Sequence, residues 1–479
     1  MSDALFLSLR RDTHVERRGD ELIIHGAGDR TVNFRNLSRG IHEAMLRLTS
    51  TGETEANLSD IVLSNDGAGA LAEYYYHLRV LEQKCLLWRS ARADATLLAT
   101  VTPISPCFEF TTKPVTRNLR YQLSRFAFTR ALAGEVVLES PLSHARVIIA
   151  DPRAAIFVHA LARPCAIAET GDPGVGLSED AVIQLLTLLI NSGMVTEVEE
   201  DGAAREEADL SLKSWEFHDL LFHTRSRMGR HDQPVGGTYR FAGEFPPPSA
   251  LKVVPSVEKI PLYRPDIERL KQEDLPFAFV QEGRRSIRTY GAQPLTKCQL
   301  GEFLYRVARV TDYREVDAPT PCGPVHTDLT HRPYPSGGAL YELEMYVVVN
   351  ACQELASGLY YYDPLNHELN KISGQSTKVE ELLAGASSAT LIPSNDLQVL
   401  LIVSARFQRI AWKYASMAYA AVLKHVGVLY QTMYLVATAM GLAPCGVGTG
   451  NADLFSRAVG VNYYDESSVG EFLLGSSPA

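Results

Sequence analysis

Apolar and polar residues alternate with period two over several short stretches near the start of the chain. Residues 5–9, 21–25 and 31–34 show this pattern and predict strands, with turns at Arg18-Gly-Asp20 and Gly26-Ala-Gly28. After Ser38 the period lengthens, and Ile41, Ala44, Met45 and Leu48 fall on one helical face. Further helices are expected at 57–63 and 68–82, followed by a hairpin of 85–88 with 96–100. Three strands, three helices and a wing make a winged helix-turn-helix.

The plan then recurs. Strands are expected at 125–129, 134–139 and 146–149, then a helix over 152–161 with Asp151 as its cap. A second helix, 179–192, lies between a capping Ser178 and Gly193, and a wing strand opens at 194–198. Gly134-Glu-Val-Val-Leu echoes Gly19-Asp-Glu-Leu-Ile-Ile24, and 146–153 echoes 31–38. Residues 1–105 and 106–210 thus read as two divergent copies of one module.

Residues 203–210 read as an acidic linker. The aromatic stripe within 215–227 has helical spacing and reads as core or subunit packing. His218 and His223 have no third ligand nearby and do not suggest a metal site. Residues 234–255, rich in Pro and Gly, predict an extended arm, so that 211–274 form a linker and arm. From 275 to 479 a third region begins. A helix is expected at 296–310, with Leu300, Phe303, Leu304 and Val307 on one face. Strands follow at 343–350 and 358–363, a helix at 378–384 and a continuously apolar, buried strand at 397–404. A long helix at 414–440 is apolar nearly all round, and 472–474 close as a strand. The fold class is α+β.

Size and charge narrow the function. At 479 residues the chain exceeds the roughly 250–300 residues at which single cores stop growing. Net charge is −10, and no Lys or Arg occurs from 166 to 204, while Glu169, Asp172, Glu179, Asp180, Glu197, Glu199, Glu200 and Asp201 do. Such a face repels a polyanion, which argues against nucleic acid despite the winged helices. Pairing of a peptide along a strand edge suits the modules, and so does a purely architectural role in a dimer. The seven cysteines lack a Cys-x-x-Cys spacing, so neither zinc nor a disulfide framework is expected and the cytoplasm is the default compartment. No signal peptide is evident at the start, and the most apolar run, 181–190, is too short for a bilayer.

The candidate chemistry lies in the last region. Arg284, Arg285, Ser286 and Arg288 fall within five residues, in sequence expected to enter a helix. Guanidinium forks and a helix N-terminus together can grip a phosphate, although a solvated basic turn gives the same pattern. Three later stretches accompany it: Pro335-Ser-Gly-Gly-Ala-Leu-Tyr341, Ala411-Trp-Lys-Tyr414 and Gly441-Leu-Ala-Pro-Cys-Gly-Val-Gly-Thr-Gly450. By itself, Lys413 can be a helix-start lysine and Tyr414 packing.

In order and spacing these stretches resemble the FMN-dependent nitroreductase fold, and more narrowly its azoline-dehydrogenase branch, which includes the cyanobactin oxidases. The resemblance covers roughly the whole chain, because the amino-terminal half is similar to the peptide-binding extension of that branch. It implies a homodimer with FMN at the subunit interface and an azoline-containing peptide as substrate. Arg284, Ser286 and Arg288, with Arg285 less central, would hold phosphate or ring edge. Pro335, Ser336 and Gly337 would approach the isoalloxazine from the partner subunit, and Gly446, Val447 and Gly448 would bring backbone N–H groups near N5. Lys413 and Tyr414 match the family's Lys-Tyr motif and would supply the base. Any lysine acting as a base near neutrality needs its pKa brought from about 10.4 to about 7–8 by burial or nearby cations. The chain departs from the pattern at its end, where Gly475-Ser-Ser-Pro478 replaces a basic residue. Two other readings compete: an NAD(P)H-dependent nitro or quinone reductase, and a non-enzymatic peptide-binding or regulatory protein.

Overall fold

A computed structural model describes residues 5–18, 21–26, 30–49, 52–111, 113–167, 176–198 and 204–478. The turns expected around Gly19 and Gly28, the chain start, and Glu169, Asp172, Glu199, Glu200 and Asp201 lie outside the described residues. The chain divides into two compact units, Met1–Gln233 and Pro234–Ala479.

In the amino-terminal unit, His14–Arg18, Glu21–His25 and Thr31–Phe34 form a three-stranded antiparallel sheet. The first of these strands was not expected. Its residues are all partly or fully exposed, so it carries no apolar alternation to signal it. Helices Arg39–Arg47, Glu55–Asp66 and Leu71–Gln83 follow and bury Ile41, Met45, Leu58, Val62, Tyr74 and Leu78 around one core. Asp66, at the end of the second helix, ties that end to the start of the first by accepting from Ser38 Oγ and the Ile41 N–H. Ser38 therefore donates its hydroxyl and does not cap the first helix with it.

The second copy shares a sheet with the first. Its strand Ala145–Ile149 pairs in register with the first copy's wing strand Thr96–Pro103. The result is one antiparallel seven-stranded sheet in the order Glu53–Thr54, Phe6–Leu9, Leu87–Ala93, Thr96–Pro103, Ala145–Ile149, Glu135–Glu139, Phe128–Leu132. Asp151 caps the helix Pro152–Ala160 by accepting from the Arg153 N–H, and Ser178 caps Glu179–Asn191 by accepting from the Ala181 N–H.

Two expectations are corrected in this unit. Arg125 to Ala127 form a turn, and the strand begins only at Phe128. The cause lies downstream, where Glu206 is buried and accepts from Ser124 Oγ (2.5 Å) and the Arg125 N–H (3.0 Å). For the same reason the expected linker after 203 is ordered: Arg205–Ala208 is a helical turn anchored by that carboxylate. The aromatic stripe gives the helix Phe217–Arg225, which buries Leu220 and sets Phe217 edge-on to Phe128 at 5.8 Å.

The carboxy-terminal unit is built on a second antiparallel seven-stranded sheet. Its order is Lys259–Pro261, Glu368–Gly374, Gly358–Asp363, Leu343–Val349, Val399–Arg406, Glu466–Ser476, Leu442–Val447. Side chains alternate between two cores. Met345, Val347, Leu401, Val403, Phe472 and Leu474 face the helices Lys297–Ala308 and Ala418–Ala439. Tyr346, Val348, Leu400, Ile402 and Leu473 face Thr377–Thr390 and Ala452–Val459. The helix Lys297–Ala308 starts on a reciprocal capping box of Thr296 and Gln299. A separate two-stranded ribbon, Asp312–Thr320 with Gly323–His331, leads directly into Arg332-Pro-Tyr-Pro-Ser-Gly. Among the described residues no helix is long and apolar enough to cross a membrane.

Candidate active site

Two of the expected settings are wrong in a way that changes the chemistry. The arginine cluster does not enter a helix. It leaves one, because Phe277–Gly283 ends with Arg284 as its C-cap, and no helix follows until Lys297. The chain there runs extended, with the Ile287 N–H donating to the Pro444 carbonyl (2.8 Å) and the Gly291 N–H to the Ser476 carbonyl. The helix that ends there therefore turns its C-terminus and not its N-terminus to the cluster, which leaves the guanidinium groups and hydroxyl as this segment's grip on a phosphate. Arg285, Ser286 and Arg288 are exposed and Arg284 is half-buried; among the described residues none of the three arginines meets a carboxylate.

Nor do Lys413 and Tyr414 open the long helix, which begins at Ala418. Tyr414–Ala415 is a two-residue strand paired with Gly236–Gly237 of the arm. The Tyr239 N–H donates to the Lys413 carbonyl at 3.0 Å, and Ser416 Oγ donates to the Pro234 carbonyl at 2.8 Å. Pairing with a distant segment has replaced the helical start. It directs the Lys413 ammonium over the rings of Tyr239 (5.5 Å) and Tyr414 (5.4 Å).

The long helix organises two clusters. Near its C-terminal end Tyr434 Oη accepts the Gly446 N–H (2.7 Å) and lies 2.7 Å from Ser286 Oγ, while the Arg284 guanidinium sits 5.2 Å over its ring. Tyr434 thus joins the arginine segment to the Gly446-Val447-Gly448 stretch, of which Val447 is buried in the sheet and Gly448 exposed. Glycine at 446 lets Tyr434 approach closely, since a methyl at that position would stand 3.2 Å from Tyr434 Oη.

Nearer the N-terminal end, His425 accepts the Gly337 N–H on Nε2 (2.8 Å), and its Nδ1 lies 2.6 Å from Glu342 Oε1. Ser336 Oγ donates to Glu342 Oε2 (3.3 Å) and accepts the Tyr341 N–H (3.0 Å). Gly338 has φ +65°, and a methyl on it would lie 2.5 Å from Lys413 Nζ and 2.9 Å from Tyr414 Oη. Pro335, Ser336 and Gly337 are therefore gathered with Lys413 and Tyr414. They are not gathered with the arginines, because His425 and Tyr434 are about 13 Å apart along the helix.

Glu471 adds a titratable group beside the glycine-rich stretch. It pairs across the sheet with Val447, its carboxylate abuts Gly450, and burial without a cation pushes it up to about 7. Tyr434, His425, Glu342 and Gly338 were not singled out from sequence. A lone histidine in an otherwise apolar helix and a glutamate heading an apolar strand were the available signals.

The donor set fits a flavin mononucleotide. Unneutralised guanidinium groups and a hydroxyl suit a phosphate, and the glycine at 446 leaves room beside a tyrosine-held backbone N–H. Residues 282–475 match the nitroreductase family. A candidate nitroreductase of Methanocaldococcus jannaschii is 31% identical over 184 residues, which are 38% of this chain and 81% of that protein. The chain belongs to the nitroreductase family. This nitroreductase-family chain is an oxidoreductase, and it carries further segments ahead of its catalytic region. Residues 1–112 match the ThcOx helix-turn-helix domain, and 121–232 match the cyanobactin oxidase ThcOx family. The microcin B17-processing protein McbC of Escherichia coli is 31% identical over 120 residues, 23% of this chain and 42% of McbC. Among solved structures, a candidate nitroreductase of Ralstonia eutropha is 21% identical, covering 52% of this chain and all of that one, with a TM-score of 0.35.

Proposed function

We propose that this chain is an FMN-dependent dehydrogenase that converts thiazoline or oxazoline rings of a ribosomally made peptide to thiazole or oxazole. The observation that carries the reading is the meeting of Lys413 Nζ and Tyr414 Oη at the backbone of Gly338, beside a loop held by His425. Removal of the azoline Cα proton needs a base, and Lys413 as the free amine or Tyr414 as the phenolate would supply it at that wall. Lys413 takes the proton directly, or Tyr414 takes it with the ammonium stabilising the phenolate. Bound FMN would accept the hydride at N5 and be re-oxidised by molecular oxygen. Arg284, Ser286 and Arg288, with Arg285 at the margin, hold its phosphate or ring edge, and Gly446, Val447 and Gly448 present backbone to the ring. The matches to a cyanobactin oxidase and to McbC favour a peptide azoline as substrate.

The separation of the two clusters along one helix favours a flavin shared between two copies. One copy supplies Arg284–Arg288 and Gly446–Gly448, and the other Pro335–Gly337. Exposed Phe277, Phe279, Leu423 and Val428 offer the apolar surface for such a dimer. In the amino-terminal unit a cavity of about 650 Å³ beside the helix Leu71–Gln83, lined by Tyr75, Leu78, Arg79, Phe108 and Phe110, suits the peptide-clamp role read from sequence.

The likeness to the archaeal candidate nitroreductase favours a second reading, reduction of nitro compounds or quinones by NAD(P)H. One experiment separates the two. Protein reconstituted with FMN is kept anaerobic and mixed with a thiazoline peptide or with NADPH while oxidised-flavin absorbance is followed. Bleaching by the peptide, weakened in Lys413→Ala and Tyr414→Phe, is the expected result. Bleaching by NADPH and by no azoline makes the protein a reductase.

A further inference from the structure

Gly337 is the point where the glycine loop is tied, and the chemistry of the tie selects one form of His425. A backbone amide only donates, so the Nε2 that faces it at 2.8 Å carries the ring's lone pair. The ring hydrogen is therefore on Nδ1, where Glu342 Oε1 accepts it at 2.6 Å. Glu342 is fully buried, and among the described residues its only ion-pair partner is that ring. Its second oxygen accepts from Ser336 Oγ, so a single carboxylate secures the loop at both 336 and 337. The Gly337–Gly338 backbone is in turn wedged between this pair and the proposed base. A methyl at Gly337 would stand 3.3 Å from His425 Nε2 and 3.7 Å from Tyr414 Oη.

We propose that Glu342 and His425 are positioning residues: Glu342 enforces the Nδ1–H tautomer of His425, whose bare Nε2 anchors Gly337. Through that anchor the pair fixes the wall against which Lys413 and Tyr414 face the azoline. This role rests on the oxidase reading above. It does not require either residue to touch substrate or to exchange a proton. In Glu342→Gln the amide N–H group can donate to Nδ1, which moves the ring hydrogen to Nε2 and sets two donors against each other at Gly337. In His425→Asn the side-chain amide reaches only the Nδ1 position, so Glu342 keeps a donor and Gly337 loses its acceptor. In His425→Gln the amide oxygen can reach the Nε2 position and Gly337 keeps its acceptor.

The test uses the full chain labelled with 15N-histidine, with His425→Asn assigning the signal. Wild-type His425 is expected as the Nδ1–H tautomer, and Glu342→Gln as Nε2–H or a mixture. In anaerobic flavin reduction by a thiazoline peptide, Glu342→Gln and His425→Asn are expected to slow the rate constant about 30- to 100-fold with KM changed less than about threefold. The double variant Glu342→Gln/His425→Gln, which restores an acceptor for Gly337, is expected within about fivefold of wild type. Wild-type His425 found as Nε2–H or as imidazolium overturns the proposal, as does Glu342→Gln turning over at the wild-type rate. If His425→Asn fails to fold, His425→Gln assigns the signal, and the wild-type tautomer then decides. That measurement needs no substrate, so a wild type that no thiazoline reduces refutes the oxidase reading separately.

Discussion

At its Tyr434 end the long helix Ala418–Ala439 meets exposed guanidinium groups, while near His425 it meets a buried carboxylate and a glycine loop tied at Ser336 and Gly337. The first cluster is a surface waiting for a charge, held together by one tyrosine hydroxyl. The second is already organised, with Ser336 Oγ, the Gly337 N–H and the His425 ring each held in a bond within the chain. The contrast suggests a division of labour. Losses at the Tyr434 end should appear as affinity for the cofactor, and losses at the His425 end as rate.

Lys413→Ala should be the most severe change, slowing anaerobic flavin reduction by a thiazoline peptide about 10³-fold and leaving FMN affinity within twofold by fluorescence titration. A large loss of FMN affinity in this variant would erase the division. Gly338→Ala comes next. Its methyl meets Lys413 Nζ, and its φ of +65° strains an L residue, so about 10²-fold is expected on the same rate.

At the other end, Tyr434→Phe strands the Gly446 N–H. FMN should bind about tenfold more weakly, with the reduction rate at saturating FMN close to wild type. Glu471 sharpens the comparison through pH. Its folded value of about 7 lies above the ordinary 4.5, so the fold favours the neutral acid. The associated stability is fully present below 4.5 and is lost as pH rises through 7, by about 1.4 kcal/mol between pH 6 and 8.5. Thermal melts of Glu471→Gln should lose about 3 °C less over that interval than wild type. Arg285→Ala, at the exposed margin of the cluster, should change FMN affinity by less than about threefold.

In the carboxy-terminal unit the helices Lys297–Ala308, Thr377–Thr390 and Ala418–Ala439 and the strands Leu343–Val349, Gly358–Asp363 and Val399–Arg406 were legible because local signals and burial agree there, whereas the ribbon Asp312–Thr320 with Gly323–His331, the strands Glu368–Gly374 and Leu442–Val447 and the helix Ala452–Val459 were not expected. Thr296 and Gln299 announce a helix, and the continuous apolar run after Leu397 announces a central strand. The errors fall where distant pairing decides. Nothing near Tyr414 in sequence reveals that Gly237 will bond beside it, and nothing near Ile287 reveals the Pro444 carbonyl. The arginine segment was placed at a helix start because apolar residues follow it, but those residues bond to sheet strands. Motif order identified Lys413, Tyr414 and the glycines as candidates. It missed Glu342, His425 and Tyr434, whose roles arise from bonds across 83, 88 and 148 positions of chain.

The shared sheet of the amino-terminal unit bears on how this protein can be dissected. Thr96–Pro103 and Ala145–Ile149 are interior strands only because each covers the other. Cutting between the two sequence repeats would bare an eight-residue strand with six buried residues, Leu98, Ala99, Val101 and Pro103 among them, the kind of edge that recruits other chains into aggregates. Loss of function in such a truncation would report self-association and not the absence of one module's binding activity. Substitutions on the surface of each repeat, with the sheet left whole, are the sounder way to ask what each repeat contributes.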